Sequence, residues 1–142
     1  MVIPGDSAMA LLKDEVMELG SSADIVRVRQ QVRACALELG FGLVDQTKIV
    51  TAASELARNT VDYGGGGTVR LQALNDGPRR GLRLIFEDSG PGITNIEMAL
   101  KDGYTTGGGL GLGLGGARRL VNDFTIQSQV GQGTRVEVTK WK

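Results

Sequence analysis

The chain has 142 residues, and its 16 lysine and arginine residues balance 16 aspartate and glutamate residues. This length fits one domain with one hydrophobic core, and the zero net charge gives no broad basic field for nucleic acid or an anionic membrane. Histidine is absent and Cys35 is the only cysteine, which excludes Ser-His-Asp and Cys-His triads, histidine-ligated zinc and internal disulfides. We therefore expect protein or small-molecule partners, with no nucleic acid and no membrane.

No segment of the sequence indicates export or membrane insertion. The longest apolar runs, such as the one around Ala8 to Leu12, are well short of the roughly 18 residues that span a bilayer. The first residues, MVIPGDS, lack the basic start of a signal peptide. We therefore expect a cytoplasmic protein.

Apolar periodicity predicts a short strand and then two helices in the first half of the chain. The strand lies near Asp14 to Leu19. The first helix begins after Ser21, which has capping-box spacing to Asp24, and the second begins near Asp45 and ends before the glycines at 64–67. The inward residues are Ile25, Val28, Val32, Cys35, Ala36 and Leu39 in the first helix, and Ile49, Ala52, Ala53, Leu56 and Thr60 in the second.

Alternating apolar residues then predict a hairpin. Its strands present Val69, Leu71 and Ala73, and Leu82, Leu84 and Phe86, on either side of the turn NDGPRRG.

The second half of the chain predicts two more helices and two more strands. A third helix is capped by Thr94, and a fourth runs from Leu114 to Phe124. The last strands lie around Thr125 to Gln129 and Thr134 to Trp141. Because helices and strands do not alternate strictly, we expect an α/β fold: a two-layer sandwich in which a mixed, mainly antiparallel sheet has helices packed on one face.

Residues 105–116 read TTGGGLGLGLGG, which admits two interpretations. Glycine loses much backbone entropy on ordering, so the segment could be a flexible linker. It could instead be a loop whose bare backbone approaches a phosphate at a helix N-terminus. The match to the dinucleotide pattern G-x-G-x-x-G is weak, because no strand leads into it. The short chain that follows and the alternating leucines favour a mobile lid over a phosphate.

Polar residues at three further places could serve chemistry or structure. Glu55 and Asn59 are four residues apart, so they lie one turn apart on the same side of the second helix; such a pair is often only solvated. Asp88 ends an apolar strand before two glycines, which could form a plain turn or the floor of a pocket. Thr134 could support a bound base or simply begin the last strand.

Taken in order, four motifs resemble the N, G1, G2 and G3 boxes of the GHKL ATPase and kinase superfamily, which has the Bergerat ATP-binding fold. They are E-x-x-x-N at 55–59, D-x-G-x-G at 88–92, the glycine loop at 107–116 and G-x-G-T at 131–134. The stretches ELGFGLVDQTKIVTAASELARN, EDSGPGI and GGLGLGLGGARRL are most similar to stressosome serine kinases of the RsbT type, which are related to anti-sigma-factor kinases. The resemblance implies one ATP-binding kinase domain over 1–142, with motifs within 45–141 and an ATP lid at about 102–116.

The resemblance also implies a role for each matching residue and two cofactors, ATP and Mg²⁺. By resemblance, Glu55 is the general base, Asn59 the Mg²⁺ ligand, Asp88 the adenine reader, Gly90 and Gly92 the pocket wall, Gly109, Gly111 and Gly113 part of the lid, and Thr134 a residue that lines the adenine site.

The lid departs from the expected pattern in one respect. No basic residue lies between Lys101 and Arg118, so phosphate charge has to be balanced by metal, by backbone dipoles or by a residue elsewhere, such as Arg58.

The implied activity is phosphorylation of a serine or threonine on a STAS-domain partner in a stress-response sigma-factor cascade, with a serine phosphatase as second partner. The absence of histidine argues against a self-contained histidine kinase, and the length argues against ATP-gated clamps. One alternative is a nucleotide-dependent binding module of the anti-sigma type with weak or no kinase activity. Another is an unliganded scaffold with a glycine linker, which predicts no ATP binding.

Overall fold

The structure is a computed structural model that describes residues 9–101 and 113–142. Five strands, four α-helices and one π-helical turn follow one another in these ranges. They are β1 (Met9–Leu19), α1 (Ser22–Glu38), α2 (Leu43–Arg58), the π turn (Asn59–Tyr63), β2 (Gly67–Asp76), β3 (Arg79–Asp88), α3 (Ile96–Ala99), α4 (Gly113–Arg119), β4 (Asp123–Gln129) and β5 (Gly133–Trp141).

The strands form one sheet in the order β1-β2-β3-β5-β4. All four adjacent pairs of these described strands are antiparallel. Side chains alternate between the two faces of a strand, and the apolar positions predicted for the hairpin are all buried on one face, where α1 and α2 pack. The predicted two-layer α/β sandwich is confirmed.

The first helix begins where its sequence predicts. The Ser21 side chain accepts a hydrogen bond from the Asp24 amide at 3.4 Å, and the Asp24 carboxylate accepts one from the Gly20 amide at 2.8 Å. The Gly20 amide, and after it the Arg27 guanidinium, lowers the pKa of Asp24 below its usual value. Cys35 is buried as predicted, and burial raises the pKa of its thiol.

The core lies between this helix pair and the sheet. The inward stripe predicted for α2, from Ile49 to Thr60, is buried at every predicted position. The opposite face of the sheet carries polar side chains that pair with one another across strands. There Arg70 donates to Asp14 at 2.8 Å and Arg83 donates to Gln72 at 2.8 Å, as expected for a sheet with one face on the core and one in water.

The predicted boundaries are wrong at three elements: β1, α3 and α4. β1 starts at Met9, because it pairs with the whole of β2 and accommodates a register shift between Leu11 and Lys13. Helix α3 is capped by Asn95, whose side chain accepts from the Met98 amide at 3.0 Å, and not by Thr94. Strand pairing thus sets the start of β1, and a side-chain cap sets the start of α3.

Helix α4 is shorter than its apolar spacing predicts. It ends at Arg119, and Phe124 belongs to β4. The Asn122 amide donates to the Thr139 carbonyl at 3.0 Å, and the Asn122 side chain accepts from the Trp141 amide at 2.8 Å. The chain therefore joins the sheet before the helical period of its apolar residues ends.

We expect Leu84→Ala to lower the free energy of unfolding by about 2–5 kcal/mol, because it leaves a cavity in the core between sheet and helices. Leu84 is 0% exposed, whereas Leu37 is 57% exposed, so Leu37→Ala should change stability by no more than about 0.5 kcal/mol. Urea unfolding measures both, and similar midpoints for the two variants would contradict this placement of the core.

Candidate functional site

One row of residues crosses the end of the sheet on its helix-covered face. Gly67 in β2 is paired with Asp88 in β3, which is paired with Thr134 in β5, which is paired with Ser128 in β4. Gly67 has no side chain, so the other three form a polar edge. The next row on this face holds Phe86, Val136 and Ile126, and so the polar edge borders the apolar core.

The carboxyl group of Asp88 lies against the backbone at the end of the π turn. A Cβ atom added to Gly64 would lie 2.4 Å from the Asp88 Cγ, and one added to Gly90 would lie 2.6 Å from the Gly64 carbonyl oxygen. The Gly90 amide donates to Asp88 Oδ1 at 2.9 Å. In the described part of the chain, Asp88 Oδ2 has no hydrogen-bond partner of its own. One carboxylate oxygen is thus fixed by the loop and the other remains an acceptor.

The π turn joins the second helix to this carboxylate. The Gly64 amide donates to the Asn59 carbonyl at 3.0 Å, five residues back, and Thr60 donates its hydroxyl hydrogen to the Leu56 carbonyl at 2.9 Å. Such π turns inside helices occur frequently at functional sites. The Tyr63 hydroxyl donates to the Gly92 carbonyl at 3.2 Å. The turn therefore brings the helix end that carries Asn59 against the loop that follows Asp88.

Glu55 lies one turn before Asn59, and its carboxylate accepts hydrogen bonds from two donors. Arg58 Nη1 lies 3.0 Å from Glu55 Oε1, and the Gly113 amide donates to Glu55 Oε2 at 3.4 Å. The Glu55 side chain is 12% exposed and that of Arg58 is 49% exposed. Each carboxylate oxygen has two lone pairs, so each retains one for a further hydrogen. Glu55 can therefore accept a proton while both contacts persist.

Close backbone contacts require glycine at two positions, one in the loop after β3 and one at the start of β5. Gly92 has φ +76°, and a Cβ there would lie 2.4 Å from the Gln129 carbonyl oxygen. Gly133 has φ +122°, and a Cβ there would lie 2.1 Å from the Asp88 carbonyl oxygen. Side chains rarely adopt these backbone conformations. The loop after Asp88 and the β4–β5 turn consequently pack directly on each other.

Three groups surround the Ser128 hydroxyl beside Thr134. The Ile93 amide donates to Ser128 Oγ at 2.8 Å, Ser128 Oγ lies 3.2 Å from the Gly133 carbonyl oxygen, and it lies 2.8 Å from Thr134 Oγ1. An open recess of about 420 Å³ lies at this end of the sheet. Asp88, Ser128 and Thr134 line it from one face, and Glu87, Gln127 and Arg135 line it from the other.

The structure brings the described members of the predicted site together. Asp88 and Thr134 are paired neighbours, Gly90 and Gly92 contact the π turn that begins at Asn59, and Gly113 contacts Glu55. Gly109 and Gly111 lie outside the described residues, as does most of the predicted lid at about 102–116.

Sequence reasoning missed four contributors: Arg58 as the ion-pair partner of Glu55, Tyr63, Gly64 and Ser128. The sequence did carry a signal for Gly64: it is the first of four consecutive glycines, and one glycine is enough to end a helix. Ser128 also gave one, because it continues the alternation of Phe124 and Ile126 onto the face that Thr134 shares. The π turn gave none, because its register depends on packing against Asp88.

Membrane-spanning helices and acidic metal clusters are both absent from the described residues. No helix there is long and apolar enough to cross a membrane. No group of three or more His, Cys, Asp or Glu side chains there is placed to hold a metal ion.

Comparison with known proteins identifies the class that the fold and site define, an ATP-binding protein with the GHKL architecture. Residues 44–142 match the model of the family described as histidine kinase-, DNA gyrase B-, and HSP90-like ATPase. This match covers more than half of the chain. The chain belongs to this family.

Curated relatives narrow the class. The chain is 48% identical over 118 residues to the serine/threonine-protein kinase RsbT of Bacillus subtilis, covering 83% of this chain and 89% of that protein. It is 31% identical over 135 residues to an anti-sigma F factor of Clostridium kluyveri, covering 91% and 92%. The similarity to RsbT confirms the predicted enzyme class, an ATP-dependent serine/threonine protein kinase.

A solved structure supports the fold alone. The chain resembles the crystal structure of the RsbU and RsbW domains of Rv1364c from Mycobacterium tuberculosis with a TM-score of 0.64 and 24% identity. The match covers 90% of this chain and 32% of that one, so this chain spans about a third of the length of that relative.

We expect Gly64→Ala to weaken ATP binding about tenfold or more, because the new methyl group would occupy the space of the Asp88 carboxyl group and displace a charged hydrogen-bond acceptor. Gly42→Ala is the matched control, since a Cβ there meets nothing within 4 Å. Calorimetric titration measures affinity, and thermal melting checks folding. Equal ATP affinity in the two variants would show that Asp88 is not held by this contact.

Proposed function

We propose that this chain transfers the γ-phosphoryl group of ATP to a serine or threonine of a STAS-domain partner in a stress-response sigma-factor cascade, and that it also binds and activates a serine phosphatase. The observation that carries the catalytic part is the position of Glu55. Its carboxylate lies one helical turn from Asn59, on the helix whose π turn packs against Asp88.

Asp88 and Thr134 would bind the adenine base. Asp88 Oδ2, which has no partner among residues 9–101 and 113–142, would accept a hydrogen from the exocyclic amine, while Oδ1 stays bonded to the Gly90 amide. The purine would lie over the apolar row next to this polar edge. The backbone of Gly90 and Gly92 would form the wall, since side chains at these positions would collide with the neighbouring backbone.

The donor set at the helix end fits Mg²⁺ with few protein ligands. The described residues contain no acidic metal cluster, whereas Asn59 offers an amide oxygen on a half-exposed side chain beside the proposed nucleotide. Mg²⁺ is usually bound through one or two protein oxygens together with substrate phosphates and water. When bound, the ion would offset charge on the phosphates.

Glu55 would act as general base. The acceptor hydroxyl oxygen forms a bond to the γ-phosphorus, the bond from that phosphorus to the β–γ bridging oxygen breaks, and ADP leaves with the electron pair. The proton of the hydroxyl passes to Glu55. The Arg58 and Gly113 contacts orient the carboxylate, and positioning of this kind is the main protein contribution to phosphoryl transfer.

Phosphate charge would be balanced without a basic lid. Gly109 and Gly111, the lid glycines of the resemblance, lie outside the described residues, and Gly113 already donates its amide to Glu55. Among the described residues, the cation next to the proposed general base Glu55 is Arg58, whose half-exposed guanidinium would balance part of the phosphate charge.

The names of the relatives support the proposed partners. RsbT is named as a serine/threonine-protein kinase, which supports a protein substrate. The similarity to anti-sigma F factors along 91% of the chain supports a second candidate, a nucleotide-dependent binding module of the anti-sigma type with weak or no kinase activity. Phosphate transfer to a partner separates the two functions.

We expect Glu55→Ala to reduce phosphate transfer to a STAS-domain partner roughly 10²–10⁴-fold, the usual contribution of a general base. Nucleotide affinity should change little, because Glu55 is proposed to act on the acceptor hydroxyl. Radiolabelled ATP in single-turnover assays measures transfer, and Glu38→Ala, an exposed acid at the end of α1, is the control.

Transfer at the wild-type rate in Glu55→Ala would remove Glu55 from the role of base. Absence of transfer in the wild type and in both variants, with intact ATP binding, would favour the binding module.

We expect Asp88→Asn to weaken ATP binding by about 1.5–3 kcal/mol, the contribution of a hydrogen bond to a charged group, which is roughly 10- to 150-fold in affinity. Glu87→Gln is the control, because Glu87 lies on the opposite face of the same strand and its side chain is 60% exposed. Isothermal titration with Mg²⁺-ATP measures both. The adenine assignment fails if Asp88→Asn binds ATP as tightly as Glu87→Gln does.

A further inference from the structure

We infer that Ser128 determines base selection at the nucleotide site by turning the Thr134 hydroxyl into a hydrogen-bond acceptor, so that the site takes 6-aminopurine nucleotides and rejects 6-oxopurine nucleotides. The inference rests on the proposed function, because it assumes that the purine lies at Asp88 and Thr134. It assigns a role to a residue that no motif includes.

The geometry around Ser128 favours one placement of the hydrogens, the one in which every contact is a hydrogen bond. Ser128 Oγ has three polar neighbours: the Ile93 amide at 2.8 Å, the Gly133 carbonyl oxygen at 3.2 Å and Thr134 Oγ1 at 2.8 Å. A hydroxyl group has one hydrogen and two lone pairs. The Ile93 amide supplies its own hydrogen and occupies one of those lone pairs.

The two remaining contacts join oxygen atoms, and the Gly133 carbonyl has no hydrogen to give, so a hydrogen bond there takes its hydrogen from Ser128. Ser128 then has no hydrogen left for Thr134, and Thr134 donates its own hydrogen to Ser128. This assignment makes all three contacts hydrogen bonds. The opposite assignment loses the one to the Gly133 carbonyl and leaves two acceptor oxygens 3.2 Å apart.

This assignment fixes what the polar edge offers to a ligand. Thr134 has given its hydrogen to Ser128 and presents only lone pairs on its other side. Asp88, its paired neighbour in β3, presents the free carboxylate oxygen Oδ2, and a carboxylate is also acceptor-only. Directly paired residues have Cβ atoms about 4.5–5.5 Å apart. The edge is therefore a pair of adjacent acceptors that one ligand group can reach.

An exocyclic amine is the purine substituent that matches two acceptors, because it carries two hydrogens. A 6-oxo group carries none and would place a third acceptor against the other two. Sites built to bond one such group reject the analogue that lacks it, because buried polar groups are then left unpaired. If the Ser128 hydroxyl were missing, Thr134 could rotate and donate to the 6-oxo group.

The test compares the affinities of three nucleotides with Mg²⁺ present: ATP, inosine triphosphate, and purine riboside triphosphate, which has no 6-substituent. In the wild type we expect ATP to bind most tightly and inosine triphosphate least tightly. In Ser128→Ala we expect the preference for ATP over inosine triphosphate to fall about three- to tenfold, the value of one redirected hydrogen bond. In Ser128→Thr, which restores the hydroxyl, the preference should return.

Purine riboside triphosphate distinguishes base selection from general damage. If Ser128→Ala weakens all three nucleotides by the same factor, Ser128 only supports the loop and the inference is overturned. Thr134→Val gives an independent measurement in a chain that keeps Ser128, and it should also reduce the preference for ATP; an unchanged preference there overturns the inference. A wild-type chain that binds none of the three nucleotides would instead refute the proposed function itself.

Discussion

The close approach of Gly64 and Gly90 to Asp88 is the constraint on which the site depends. The virtual Cβ of Gly64 overlaps the Asp88 carboxyl group, and that of Gly90 overlaps the Gly64 backbone, so helix end, loop and strand end meet without an intervening side chain. This contact places the end of α2 beside the end of the sheet. It also fixes one oxygen of Asp88 through the Gly90 amide. A side chain at either glycine would separate the elements that carry the proposed base and metal ligand from the element that carries the proposed adenine contact.

Stability and function depend on different rows of the same sheet. Leu71 and Leu84, paired in one row, are fully buried under the helices, and burial of such residues supplies most of the favourable free energy of folding. The row at the end of the sheet has polar residues or glycine where the other rows have apolar side chains, and it presents hydrogen-bond acceptors. Its residues are Gly67, Asp88, Thr134 and Ser128. Every buried side-chain nitrogen and oxygen in the described ranges has a hydrogen-bond partner. The polar edge can therefore be open to a ligand without leaving unpaired groups in the core.

The sequence predicted the elements and the order of the motifs, because both are local properties. Apolar spacing identified the buried stripe of α2 and the alternation of the hairpin, and the Ser21 cap was correct. It could not predict contacts that depend on packing between distant segments. The extra residue of the π turn, the ion pair of Arg58 with Glu55 and the hydroxyl group of Ser128 beside Thr134 each arise only when elements come together. The end of α4 was misplaced for a related reason: Asn122 pairs with β5, and sheet pairing overrides the helical period of Leu120 and Phe124.

The ends of the glycine segment bear on whether it is a linker. A Cβ added to Gly115 would lie 2.2 Å from the Leu100 carbonyl oxygen and 3.2 Å from that of Lys101, so the last residues of the segment touch the chain before it. Just ahead of this contact, the Gly113 amide bonds to Glu55. A linker carries the chain from one body to another, whereas the described residues on either side of this segment lie against each other and against the proposed catalytic helix. Closing a loop between such ends costs entropy that grows only slowly with loop length. The requirement for glycine at position 115 is therefore a packing requirement at the base of the loop, separate from any role of the glycines in its middle.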